Sequence, residues 1–268
     1  MRLGRLAFHA AALIGAGLPM PEIAEAGAWT RAKGDGVIIA STGRRVAPAG
    51  SIAGGPIDDD SNFTQIYLEY GLIDGLTIGA KTFVELSSID PTEGSAAAGA
   101  FLRKRVWQGD SGGIASVELG YAHPIERMLG NRFAAVEGAV PEAHLAGLYG
   151  HGWAGDWGNA FVSTGAAFFL RQEGAAEDLR LELTGGYSPS KRVMGILGLY
   201  GLAPLGSGTD PSLRVAPSVA FTFWPKLDDG EAEGTHRPKP KTLQLGFSFD
   251  LLNRDDGLGI SLSVWNPF

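Results

Sequence analysis

The residues of this chain whose types suit covalent chemistry are His144, His151 and Ser163. A serine hydroxyl becomes a nucleophile when a histidine within hydrogen-bond reach takes its proton and a third group orients the imidazole. His144 and His151 flank one predicted strand and Ser163 sits on the next, so a Ser/His contact is geometrically open, but no nucleophile motif and no third partner accompany it. Metal chemistry has less support. The histidines, with His123 before Pro124 and His236 near Pro238, lack ligand spacing, and the chain contains no cysteine. Asp228, Asp229, Glu231 and Glu233 make an acidic stretch without the fixed spacing of a calcium loop, which reads as a solvated turn. The expectation is no enzyme, no metal and no cofactor.

A second set of residues suits electrostatic work. Glu69, Lys81, Glu85, Arg103, Arg105, Glu118, Arg180, Glu182, Arg214 and Asp250 fall on the polar, alternate positions of predicted strands. Both signs are present in similar numbers. In an enclosed interior such side chains would pair, either plugging it or lining a constricted aqueous path. Arg103 and Arg105 share a face and are the leading candidates for an anion-selecting constriction, with Lys81 and Arg214 as alternatives.

The elements that must position these charges are strands. In residues 75–86, Leu76, Ile78, Ala80, Thr82, Val84 and Leu86 take one face, and Thr77, Gly79, Lys81, Phe83 and Glu85 take the other. A helix would scramble those two sets. Leu179, Leu181, Leu183 and Tyr187 repeat the split against Asp178, Arg180, Glu182 and Thr184, and Leu243, Leu245, Phe247, Phe249 and Leu251 repeat it in 241–251. The pattern predicts strands at 36–42, 63–70, 75–86, 97–107, 111–121, 143–150, 160–170, 178–187, 192–201, 213–224, 241–252 and 257–268. That is about twelve, within a range of ten to fourteen, and residues 133–140 could hold another. Ile73-Asp74-Gly75, Gly109-Asp110-Ser111 and Ser188-Pro189-Ser190 read as tight turns, while 43–62, 87–96, 122–142 and 202–212 read as longer loops. Two connections break that alternation, 225–240 by its length and 254–257 by its brevity. Gly109-Asp110-Ser111-Gly112-Gly113 has the residue order of a serine-protease nucleophile, yet it falls in a turn with no matching His and Asp signatures.

Composition points to the same architecture. Forty glycines in 268 residues are about twice the usual share, without the period of collagen. Hydrophobic residues make 44% and charged ones 19%, which suits alternation better than apolar blocks. A net charge of -7 lacks the clustered basic surface that nucleic-acid binding needs. At the N-terminus, Arg2 and Arg5 precede a short apolar run from Leu6 to Leu18, and Ala24-Glu25-Ala26 offers a small-x-small cleavage site. Residues 1–26 are therefore expected to be a cleaved export signal, leaving 27–268 as one domain. No apolar run after Ala26 approaches transmembrane-helix length, so a membrane protein of this sequence must be a barrel. Tyr70, Trp107, Tyr121, Tyr149, Tyr187, Tyr200, Trp224 and Trp265 lie near predicted strand ends, where aromatic residues meet lipid headgroups.

The last strand carries the most specific pattern. Ile260, Leu262, Val264 and Phe268 share one face, with Ser261, Ser263 and Trp265 opposite, and the sequence stops on the aromatic residue. This resembles bacterial outer-membrane proteins, whose terminal strand commonly ends in phenylalanine with alternate hydrophobic positions, a pattern associated with recognition by the barrel-assembly machinery. Asn266 and Pro267 depart from it. Gly27-Ala28-Trp29-Thr30-Arg31, followed by Gly34 and Gly36, looks like exported proteobacterial barrel proteins, some linked to exopolysaccharide export. The resemblance implies an all-β fold, a closed antiparallel up-and-down transmembrane β-barrel in the outer membrane of a Gram-negative bacterium, in contact with outer-membrane lipid. The function expected is a channel or export conduit for a small solute or saccharide, selecting by lumen width and charge. The alternatives are a lipid-modifying hydrolase using Ser163 and His144, a plugged structural or assembly barrel, and a soluble secreted β-sandwich or barrel with its apolar faces packed together.

Overall fold

A computed structural model describes residues 27–46, 60–88, 94–125, 141–171, 178–205, 211–223, 239–252 and 257–268. The export signal, residues 133–140, Trp224 and most of the loops at 225–240 and 254–257 lie outside them. Twelve strands run in chain order: β1 (Gly36–Val46), β2 (Ser61–Ile73), β3 (Leu76–Ser87), β4 (Gly94–Gln108), β5 (Gly113–Pro124), β6 (Glu142–Gly155), β7 (Gly158–Arg171), β8 (Asp178–Ser190), β9 (Val193–Pro204), β10 (Ser212–Phe223), β11 (Lys241–Asp250) and β12 (Leu258–Pro267). Each pairs antiparallel with its neighbours in sequence, and β1 pairs with β12, so the sheet closes into a barrel without a free edge. Ala40 on β1, for example, stands between Ile66 of β2 and Val264 of β12. Closure gives every strand two partners, as a span without internal water requires.

Strand lengths run from 10 to 15 residues, enough for a tilted strand to cross hydrocarbon, which takes about 9–11. All twelve predicted strands are present, several extended at both ends. The largest gain is between β6 and β7, where the sequence pattern leaves 151–159 as a loop and the chain instead keeps pairing up to Gly155↔Gly158. Turns at Asp74-Gly75, 109–112, Asp156-Trp157 and Lys191-Arg192 share one end of the barrel with Gly36 and Phe268. The Gly-Asp-Ser-Gly-Gly run forms the second of these, closed by a Gly109 N–H to Gly113 carbonyl bond of 2.8 Å.

Pleating puts alternate side chains on opposite faces, and the distribution between faces is inside out relative to a water-soluble protein. Leu119 is 62% exposed on the outer wall while Arg103 is 1% exposed within. Leu102, Leu145, Leu181, Leu245, Phe247 and Ile260 are likewise exposed, so the apolar rows are not sandwiched in a core. The soluble-sandwich alternative is excluded by that geometry. Lys104 is a charged residue on the outer face, placed between Leu76 and Val117 close to the turns, where a long amine can reach headgroup level; Arg44 and Lys241, also outward, lie near strand ends too. Tyr70, Trp107, Tyr121, Tyr149 and Tyr187 are exposed near strand ends as the sequence suggests. Tyr200 and Trp265 are not part of that belt: both line the lumen, because each stands on the inward parity of its strand.

Candidate functional site in the barrel lumen

Before β1 the chain does not stay outside the barrel. Gly34, with φ of +85°, turns residues 27–33 back into the lumen. Gly34 N–H donates to the Gly71 carbonyl and Gly71 N–H to the Asp35 carbonyl, each at 2.9 Å. Further in, Ser116 Oγ donates to the Ala28 carbonyl at 2.5 Å, and Arg31 N–H donates to Thr77 Oγ1 at 2.7 Å. Arg103 Nη1 reaches the Trp29 carbonyl at 3.3 Å. Two glycines make room for the segment. A Cβ on Gly71 would lie 2.0 Å from the Ala32 carbonyl oxygen, and one on Gly150 would lie 2.8 Å from the Trp29 ring. Trp29 also meets Phe161 edge-on at 6.0 Å.

The segment rests on a buried ionic network. Arg103 Nη1 contacts Glu69 Oε1 at 2.6 Å, and its Nε and Nη2 hold Glu118 Oε2 at 2.9 and 2.7 Å. Arg31 Nε takes the other Glu69 oxygen at 2.6 Å, and Tyr67 donates its hydroxyl proton to Glu69 Oε1 at 2.6 Å. His144 Nε2 stands 3.1 Å from Glu118 Oε1. Forked contacts between guanidinium and carboxylate supply geometry as well as attraction. They hold two carboxylates and two guanidiniums where neither sign could be buried alone.

Smaller clusters lie toward the opposite end of the barrel. Arg180 contacts Glu142 and Asp178, each at 3.2 Å, with its guanidinium 3.6 Å above the Phe169 ring. Arg45 and Ser61 both reach Glu85 Oε1 at 2.7 Å. Arg214 and Asp250 are register partners on β10 and β11. Lys81 and Arg105 enter no ion pair among the described residues; Arg105 lies over the Gly75 turn, its Nε 3.3 Å from where a Cβ there would stand. Glu182 accepts from Thr184 Oγ1 at 3.4 Å. Of the charged residues singled out by sequence, then, Arg103 joins Glu69 and Glu118, whereas Arg105 stands apart from them.

Several lumen residues lie outside the sequence-derived set. Arg45, Glu142 and Asp178 sit at or beyond the predicted strand ends, and His144 reads there as a strand-flanking candidate base for Ser163. Inward parity on β6 would have marked His144 and Glu142 as lumen residues. Arg31 precedes the first strand, where no periodicity exists to orient it.

A chamber beside these clusters is lined mostly by uncharged residues. Its volume is about 320 Å³, and it is lined by Ser41, Gln65, Ser163, Thr184, Ser218, Gln244, Ser261 and Ser263, with rings from Trp29, Phe63, Phe161, Tyr200 and Trp265. Arg214 is the one charged residue in this lining. Ser163 belongs to this wall and pairs with Gly150, whereas His144 pairs with Phe169 six positions along the ladder. At about 3.3 Å per residue that puts them roughly 20 Å apart. His151, next to Gly150, faces outward while Ser163 faces inward.

A closed antiparallel sheet with an apolar exterior, a polar interior and strands of bilayer-spanning length is an outer-membrane β-barrel, the class of integral protein found in Gram-negative outer membranes. Among solved structures the chain is similar to an outer membrane channel from Pseudomonas putida F1, with a TM-score of 0.51 and 15% identity over 92% of this chain and 100% of that one. It is also similar to the KdgM porin, with a TM-score of 0.49 and 9% identity over 86% and 99% of the two chains. The β domain of the Bordetella autotransporter BrkA aligns with a TM-score of 0.45 and 13% identity over 89% and 100%. No protein-family model and no curated protein sequence matches the chain.

Proposed function

We propose that this protein is a passive channel of the outer membrane whose passage runs along the uncharged side of the lumen. The observation that carries the reading is the unequal filling of the barrel: the β2–β6 side holds residues 27–33 and the Arg103 network, while the opposite side keeps a chamber lined by hydroxyls, amides and rings. Lumen width and charge then act together. Arg31, Arg103, Glu69 and Glu118 are engaged with one another, so they wall off one side, and the free width is left to uncharged polar solutes, saccharides among them. A barrel of about twelve strands is narrow to begin with, and the segment that occupies one side of it limits passage to small molecules. No catalytic step belongs to this reading. Outer-membrane lipid along the exterior and the barrel-assembly machinery during insertion are its partners.

The test is conductance of the refolded protein in a planar bilayer, combined with swelling of liposomes in isotonic sugar. Ohmic current and swelling in small neutral sugars are the expected result. Silence in both measurements overturns the channel reading.

A further inference from the structure

Two polar atoms of the uncharged wall have no hydrogen-bond partner among the described residues: Nε1 of Trp265 on β12 and Oε1 of Gln244 on β11. Trp265 is 4% exposed, and both residues line the chamber. In the β11–β12 ladder Gln244 stands opposite Ser263, and Thr242 opposite Trp265. The two inward side chains are therefore diagonal neighbours on adjacent strands, a spacing that long side chains bridge. One atom is a donor and the other an acceptor. Gln244 Nε2 already donates to Ser218 Oγ at 2.8 Å, which orients the amide and leaves its buried oxygen without a partner. A buried donor and a buried acceptor left unmet are both unfavourable, and a ligand hydroxyl supplies what either lacks, an oxygen to accept from the indole or a proton for the amide.

The surroundings narrow the ligand chemistry. Ser41 and Ser263 share a hydrogen bond of 2.8 Å beside Gln244, a hydroxyl pair that can extend to a second ligand oxygen. Phe63 and Tyr200 add ring surface suited to the C–H face of a sugar. Arg214, the one charged lining residue, is already engaged with other groups, so a charged ligand would lose hydration here with little compensation. The chamber, about 320 Å³, lies at the small end of the roughly 300–1,000 Å³ spanned by small-molecule sites.

We infer that Trp265 and Gln244 form a binding site for a neutral polyhydroxylated solute, a sugar unit, held within the lumen. That the sugar reaches this point in transit rests on the channel reading; that it binds here does not. Both polar atoms are buried while their side chains line the chamber, so binding requires the indole or the amide to turn toward the ligand and changes the emission of Trp265.

The experiment titrates the refolded full chain with maltose and, as the charged counterpart, with digalacturonate. Ion current is followed in planar bilayers and tryptophan emission in detergent micelles. Maltose is expected to reduce the current and shift the emission, both saturably, with digalacturonate at least about ten-fold weaker. Trp265→Phe, which keeps a ring and removes the donor, and Gln244→Ala are each expected to weaken maltose binding about ten-fold, the worth of one hydrogen bond to a polar ligand. Heat-modifiable migration on gels checks that each variant has closed its barrel, and Gln244→Leu replaces any variant that has not. Ohmic current with no saturable maltose response overturns the site and leaves the channel standing. A saturable emission change that is weakened in Gln244→Ala, which keeps the Trp265 reporter, without any current, does the reverse. Equal response to digalacturonate overturns the neutral selectivity.

Discussion

Arg103 and Glu69 meet at 2.6 Å with each side chain only 1% exposed, joining β4 to β2 across the inner face of β3. The bond is the centre of the lumen's charged side, because Glu69 also holds Arg31 of the inturned segment and Arg103 also holds Glu118. One contact thus couples the wall of the barrel to the peptide that narrows it.

Replacing Arg103 by Met should destabilise the barrel. Glu69 and Glu118 would remain in the interior without their guanidinium, and an unpaired buried charge costs about 3–5 kcal/mol. Urea unfolding in lipid vesicles reads that as a lower midpoint, and Glu69→Gln added to Arg103→Met should recover part of the loss. A midpoint equal to the parent's would show that the network contributes nothing net.

Deleting residues 28–33 should open the charged side. Single-channel conductance is expected to rise, and the reversal potential to shift toward cations, since Arg31 leaves while Glu69 and Glu118 stay opposite Arg103 alone. Unchanged conductance would mean that the segment does not obstruct ion flow.

Gly150→Leu tests the same contact from the wall. The new side chain starts 2.8 Å from the Trp29 ring, and a strand accommodates leucine, so the peptide should yield before the sheet does. Higher conductance and a red-shifted tryptophan emission are the expected signs. A variant with parental values in both would show that Trp29 repacks in place.

Removing Phe268 should lower the amount of barrel assembled in the outer membrane. Its N–H and carbonyl exchange 2.9 Å bonds with Gly36, and its ring stacks on Tyr70 at 6.4 Å, so it helps to seal the β1–β12 seam. Quantifying heat-modifiable protein in membrane fractions checks this, and normal assembly of the truncated chain would remove the role given to the terminal residue.

Leu119→Arg tests the lipid contact. Leu119 pairs with Leu102 and Leu145 midway along the wall, where an arginine facing hydrocarbon costs about 2–4 kcal/mol. Unfolding in vesicles should show a loss of that order, and no loss would argue that this face does not meet lipid.

The sequence by itself determined which face of the wall a strand residue takes wherever the pleat runs unbroken; at Trp107 a register shift after Arg105 turns the ring outward against the parity of Arg103 and Arg105. A pleat alternates with period two, so Leu181 and Leu183 had to oppose Arg180 and Glu182 wherever the strand ended up, and a closed sheet was the membrane solution left once long apolar helices were absent. Tertiary structure alone decided which inward residues meet. Arg103 and Glu69 are 34 positions apart, and their contact depends on the stagger accumulated over two ladders, which local pattern does not encode. The path of residues 27–33 was equally hidden, because a segment without periodicity has no preferred face until the lumen supplies Ser116, Thr77 and Glu69 to bind it. For the same reason the diagonal adjacency of Trp265 and Gln244 became visible only when β11 and β12 were set in register: parity puts both inside, but a ladder decides that they are neighbours.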